Sequence, residues 1–288
     1  MTRRSWLLFA SMCVIWGIPY LLIRVAVREL APVTLAFGRT AIASILLVPI
    51  AAFRHELRPL VRHLAPIAIF AVIEIVIPWF LLARAETRLT SSLTGLLIAA
   101  VPLVGALVTT FTGERERHGR RRWTGLLVGM AGVAAIVGLD VHGVSAVPLL
   151  EVAAVAICYA VGPIVLARWL SAVPGLGVVA ASLLISTAIY LPFAAFSLPS
   201  ELPGWKTGAS VLTLAVVCTA LAFVVFFQLI AEIGPVRATV ITYINPAVAA
   251  VLGVTVLSER FTLGMGLGFA LVLAGSVLAT SRRSRPAT

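Results

Sequence analysis

Glu74 is the residue best placed to do chemistry. It sits in the middle of LAPIAIFAVIEIVIPWFLLA, an apolar run over 64–83, and is the only acid deep in any such run. An ionised carboxylate at the centre of a bilayer costs roughly 2.5–3.5 kcal/mol on insertion scales. It must therefore face a wet cavity, pair with a cation, or carry a proton. One reading makes Glu74 a site for a substrate ammonium or a coupling proton. The other makes it half of a structural ion pair, with Arg39 as partner. Arg39 lies about seven residues into its own apolar run, ~10 Å deep at 1.5 Å per residue. If it does not meet Glu74, its long side chain snorkels toward the headgroups.

Further polar and aromatic groups cluster at helix breaks. The first apolar run holds Trp16-Gly17-Ile18-Pro19-Tyr20, and a later one holds Cys158-Tyr159-Ala160-Val161-Gly162-Pro163. A Pro inside a helix removes a hydrogen bond and kinks it. Two such bent helices facing one cavity would line it with Trp16, Tyr20 and Tyr159; ordinary aromatic packing at interfaces is the alternative. Pro78 and Trp79 follow Glu74 by one turn. Near the end of the chain Thr242, Tyr243 and Asn245 precede Pro246. A hydroxyl, an amide and a freed carbonyl in an apolar cleft are the usual makeup of a small-molecule site. Hydrogen bonding between helices is the competing use for Asn245.

Several functions are excluded by what the chain lacks. There is no GxxxxGK[ST] phosphate loop, no HExxH and no GxSxG elbow, so ATP-driven pumping, zinc-protease and hydrolase readings have no basis. Cys13, Cys158 and Cys218 lie singly in apolar runs and the four histidines lie near loops, so no metal site and no cofactor is expected. The chain is not expected to be an enzyme.

The elements that carry these residues are membrane helices. The chain has 288 residues, 61% hydrophobic and 11% charged, with a mean hydropathy of +1.10. A soluble domain averages about 25% charged residues, so the bilayer is the solvent here. Runs long enough to span it occur at 6–23, 32–53, 64–83, 89–111, 123–139, 147–167, 176–196, 208–230, 236–257 and 262–280. With the N-terminus inside, 15 Lys and Arg fall in inner loops and 6 in outer ones. Both termini are therefore expected in the cytoplasm. The net charge of +11 is this topology signal, not a nucleic-acid surface.

The runs repeat. Pro19 and Pro163, Arg24 and Arg168, and Pro102 and Pro246 are each 144 positions apart. Glu114 and Glu259 each end a run just before Arg, which suggests a shared job such as tying a loop to a neighbouring helix. Two units of one design are implied, 1–140 and 141–288. Five spans per unit is odd, so the second is inverted relative to the first, as in many secondary transporters. The first run is thus a membrane helix, not a cleaved leader, because its landmarks recur mid-chain. Gly125-x-x-x-Gly129 and Gly264-x-x-x-Gly268 allow close helix packing and are a weak sign of a homodimer.

The ten spans, the early Trp16-Gly17 and the spacings Pro102 to Glu114 and Pro246 to Glu259 together resemble the EamA family of the drug/metabolite transporter superfamily. The resemblance runs from about Trp6 to Thr280. It implies an all-α, ten-helix carrier of the inner membrane, monomeric or weakly dimeric, that moves a small organic metabolite (an amino acid, a purine-like compound or a drug) by alternating access. Export is the expected direction. The resemblance further implies a central cavity including Trp16, Glu74, Trp79, Tyr159, Tyr243 and Asn245. The rival classes are an intramembrane enzyme acting on lipid, which would need a nucleophile–base pair or metal cluster, and a passive channel, which would need one continuous polar pore.

Overall fold

The computed structural model describes residues 2–111, 120–140 and 145–280. Every regular element among them is a helix: α1 (Arg3–Ala26), α2 (Pro32–Phe53), α3 (Arg58–Ala85), α4 (Ser91–Thr109), α5 (Arg120–Asp140), α6 (Ala146–Trp169), α7 (Gly175–Ala195), α8 (Trp205–Ile233), α9 (Ile241–Leu257) and α10 (Leu263–Thr280). Eight of these are long and apolar enough to cross a membrane. The basic start of α5 and the shortness of α9 set those two apart. Glu114, His118, His142 and the C-terminal Arg cluster lie outside the described residues.

The surface is apolar, and the largely apolar interior also holds buried polar residues. Ile45, Leu127, Leu150 and Phe193 stand more than half exposed, while Ser91, Thr94, Ser182, Ser186 and Ser276 have no exposure at all. In water such a surface would aggregate; lipid solvates it. Several interior hydroxyls donate to the preceding turn, as in Thr40 to Ala36 O at 2.9 Å and Ser186 to Ser182 O at 2.7 Å.

Three departures from straight helix position the site. α1 breaks at Trp16–Ile18, between Ile15 and Pro19. α3 widens to a π turn at Val72–Val76, and α8 does the same at Val216–Leu221. The two π turns begin 144 positions apart, the interval of the proline landmarks. π turns are rare and frequent at functional sites, because they re-aim side chains and free carbonyls.

α2 packs on α7, α4 on α9 and α5 on α10, while α1 lies along α8 and α3 along α6. The α5–α10 seam is closest. A Cβ at Gly268 would lie 2.7 Å from Gly132 O, and one at Gly125 would lie 2.7 Å from Gly275 O. The glycines weighed in the sequence as a dimer contact, Gly125 and Gly268 among them, are thus engaged within the chain. Gly268→Val is expected to lower the melting temperature in detergent by the equivalent of about 1–3 kcal/mol of overpacking, with the elution volume on size exclusion unchanged. A normal melt with an altered elution volume would reassign these glycines to a contact between copies.

Candidate functional site

Arg39 of α2 is buried at the heart of the bundle, 8% exposed. Its guanidinium lies over the Trp79 ring of α3, 3.6 Å from the ring centroid, a cation–π contact. Its Nε donates to Thr219 Oγ1 of α8 at 2.9 Å. Thr219 sits in the second π turn and gives its own proton to Leu214 O, five residues back, at 2.8 Å. Its lone pairs are thereby turned to Arg39. Tyr20, Tyr159, Tyr190 and Cys218 stand within electrostatic reach of the guanidinium. Arg39 therefore does not snorkel. Its stem runs inward, because α2 presents this position to α3 and α8 rather than to lipid.

Glu74 occupies the first π turn. Tyr190 of α7 donates its hydroxyl to Val76 O at 2.5 Å, a carbonyl that the widened turn leaves available. The Glu74 carboxylate lies against Gly162 of α6, and a Cβ at that position would collide with Oε2. Oε2 itself is buried without a hydrogen-bond partner. Cys158 and Tyr159 are its polar neighbours on α6. The ion pair weighed as the alternative use of Glu74 and Arg39 is not formed in this structure. The ion pairs among the described residues are Arg4–Glu232, Arg54–Glu56 and Arg84–Glu151. Arg39 is turned to Trp79 and Thr219 while Glu74 faces α6, and Tyr159 feels both.

The other sequence candidates divide. Trp79 and Tyr159 belong to one packed cluster with Phe223 and Phe227 of α8. Trp16 reaches that cluster edgewise at Phe223, 5.9 Å between ring centroids, and lies tilted against neighbouring Phe226 at 4.7 Å. Tyr20 is buried between α1 and α4, its ring against Gly95. Tyr243 stands apart, its hydroxyl 3.2 Å from Thr280 Oγ1 on α10. Asn245, in the amide orientation its neighbours require, donates to Cys13 O at 3.0 Å and Ile241 O at 2.9 Å. Its amide thus ties α9 to α1. The contact is close because α1 has only Gly17 where Val248 of α9 crosses it. Thr219 and Tyr190 are site residues that sequence reasoning passes over.

A cleft of about 200 Å³ opens beyond the α8 aromatics, where α2 ends and α7 begins, lined by Arg54, Leu176, Val224, Phe227, Gln228 and Ala231. The opposite end of the bundle is latched. Glu259, just past α9, accepts from Ser91 N at 2.8 Å and Ser92 N at 2.8 Å, and from both serine hydroxyls at 3.0 and 2.6 Å. A carboxylate clamping the first amides of α4 satisfies groups the helix cannot pair itself and complements its dipole. The tying role expected of Glu259 is this contact. Glu86 lies beside it, fully buried, with both carboxylate oxygens unpartnered. Burial pushes its carboxyl well above the usual range, with nearby Arg24 opposing and Glu259 adding to the rise.

An all-helical chain with an apolar exterior and a charged, aromatic centre between its helices defines a multi-pass membrane protein with an internal polar site. The sequence profile of the EamA-like transporter family matches residues 4–138 and again 147–281, and the chain belongs to that family. It is 26% identical over 277 residues to the uncharacterized inner membrane transporter YedA of Escherichia coli (strain K12), covering 94% of this chain and 88% of that protein. It is 27% identical over 291 residues to the probable terminal-alkyne amino-acid exporter of Streptantibioticus cattleyicolor, covering 98% and 95%. A solved crystal structure aligns over 97% of both chains with a TM-score of 0.68 at 21% identity, a likeness of fold.

Proposed function

We propose that the protein is a secondary transporter that exports a small organic metabolite across the inner membrane by alternating access. The observation that carries this reading is the group of buried Arg39 and Trp79 with half-buried Glu74 and Tyr159, charged chemistry at span depth in a chain of a transporter family. In this reading ten spans form two inverted five-helix units, 1–140 and 141–288. The double match of one family profile and the equal spacing of the two π turns support it. Trp16, Tyr20, Glu74, Trp79 and Tyr159 bind substrate, with Tyr243 and Asn245 holding the walls around them. Glu74 carries the coupling proton.

The Arg distribution puts both termini in the cytoplasm. The cleft beside Arg54 and Gln228 then faces the cytoplasm, and the Glu259 latch closes the outer face. An exporter loads from that state, which is compatible with export. The name of the Streptantibioticus relative supports it, and keeps amino acids beside purine-like compounds and drugs as substrates. The test is efflux from cells and flux in proteoliposomes across a metabolite panel, with single-cysteine labelling of both termini. Accumulation inside expressing cells, or a terminus labelled from outside, would reject the export topology. No flux of any compound would reject transport.

A further inference from the structure

The geometry points to Arg39 as the anchor for a carboxylate on the transported molecule, held by the two terminal guanidinium nitrogens that the protein leaves unpaired. This rests on the transport reading above and names the chemical class of its substrate.

The argument is one of satisfied and unsatisfied groups. An Arg side chain carries five N–H donors and stays charged under all ordinary conditions. In this structure Nε is taken by Thr219 and one face of the guanidinium by Trp79. Nη1 and Nη2 make no hydrogen bond, and no carboxylate lies within 4.0 Å of them among the described residues. Nor are they among the buried atoms sealed off without a partner, so they keep some exposure in a residue that is 8% exposed overall. A lone cation at membrane depth is costly, and a cation–π contact offsets only part of that cost. The protein's own candidate counter-ion, Glu74, is turned away against Gly162. The missing partner is therefore an anion that comes and goes.

The fork left free selects the anion. Thr219 and Trp79 fix the guanidinium plane, so its outward edge presents parallel N–H bonds in the arrangement that matches a carboxylate bidentately. A Lys ammonium would give a point charge without that match. The wall beside the fork is aromatic, with Trp79 and Tyr159 in one cluster. The site therefore fits a carboxylate attached to an apolar or aromatic body. The nearest counterpart in the second half, 144 residues on from Arg39, is Leu183, which is fully buried. The anion site thus belongs to one half only.

Binding by the purified full-length protein in nanodiscs tests this. The probes are two matched pairs, benzoate with benzamide and L-phenylalanine with L-phenylalaninamide, read by thermal shift and by titration. The acid of at least one pair is expected to stabilise the protein while its amide does not. Arg39→Gln should weaken that binding about 30-fold or more, the loss that follows truncation of one partner of a buried charge pair. Arg39→Lys should recover only part of it. Equal binding of acid and amide, no stabilisation by either acid, or full affinity in folded Arg39→Gln would each overturn the assignment. If Arg39→Gln does not fold, the wild-type comparison of acid with amide decides alone. Failure here stays separable from failure of the transport reading: flux of a neutral or cationic compound with no response to carboxylates rejects the anion site and leaves a transporter.

Discussion

The Glu74→Gln variant is expected to melt at or above the wild-type temperature and yet to transport more slowly, with its response to pH lost. Gln keeps the shape and removes the charge. In a paired Glu74 the loss would leave Arg39 uncompensated and destabilise the fold strongly. Glu74 and Arg39 face different neighbours, so no such penalty follows, and adding Arg39→Leu should rescue nothing. Flux should fall by roughly 12- to 150-fold, the equivalent of one charge-assisted contact of about 1.5–3 kcal/mol. Gly162→Ala should lower flux too, since the added methyl would take the space of the Glu74 carboxylate oxygen. Melting curves and proteoliposome flux on these variants separate the cases. A destabilised Glu74→Gln restored by Arg39→Leu would show that the two residues meet after all. Normal flux, pH response and melting would make Glu74 a bystander.

The Glu259→Ala variant should lose about 2–4 kcal/mol of stability, because four hydrogen bonds to one carboxylate, two of them capping α4, disappear together. Glu259→Gln, which keeps one acceptor and no charge, should fall between. The same end of the bundle should weaken as pH rises. Glu86 is buried beside the latch, and its folded carboxyl holds a proton far more tightly than the unfolded one. Stability is then fully present below the ordinary carboxylate range and declines as pH rises toward the folded value. Glu86→Gln should flatten that decline. Melting temperature against pH for wild type, Glu86→Gln and Glu259→Gln is the measurement. A wild-type Tm that rises with pH over this window would show that Glu86 is paired as an anion in the folded protein.

Charges in apolar runs are conspicuous, and Arg39 and Glu74 are legible for that reason. Their partners are not. Whether two residues meet across a bundle depends on rotation about each helix axis, and helices apolar on all sides give no stripe from which to read it. Thr219 escapes notice because a Thr hydroxyl in an apolar run is usually satisfied by its own preceding turn, and Tyr190 because an aromatic ring in such a run reads as packing. What recruits both is the π turn in α3 or α8, which has no composition of its own. Asn245 beside Pro246 reads as a free amide ready for substrate. It is engaged with Cys13 because Gly17, one residue after Trp16, lets α9 close on α1. The glycine was visible in the sequence; the helix it admits was not.

The widened turns also carry a chronology. One family profile matches both halves of the chain, and both halves keep the extra residue at corresponding points, Val72–Val76 and Val216–Leu221. On the two-unit reading proposed above, a feature common to both matched segments predates the duplication. The occupants differ: 144 residues on from Glu74 and Trp79 stand Cys218 and Phe223. On that reading the backbone irregularity is the older trait, and the charged chemistry is the later difference between the two units. A half-length unit of that reading, paired with a copy of itself, would carry the bend in both subunits and no lopsided site.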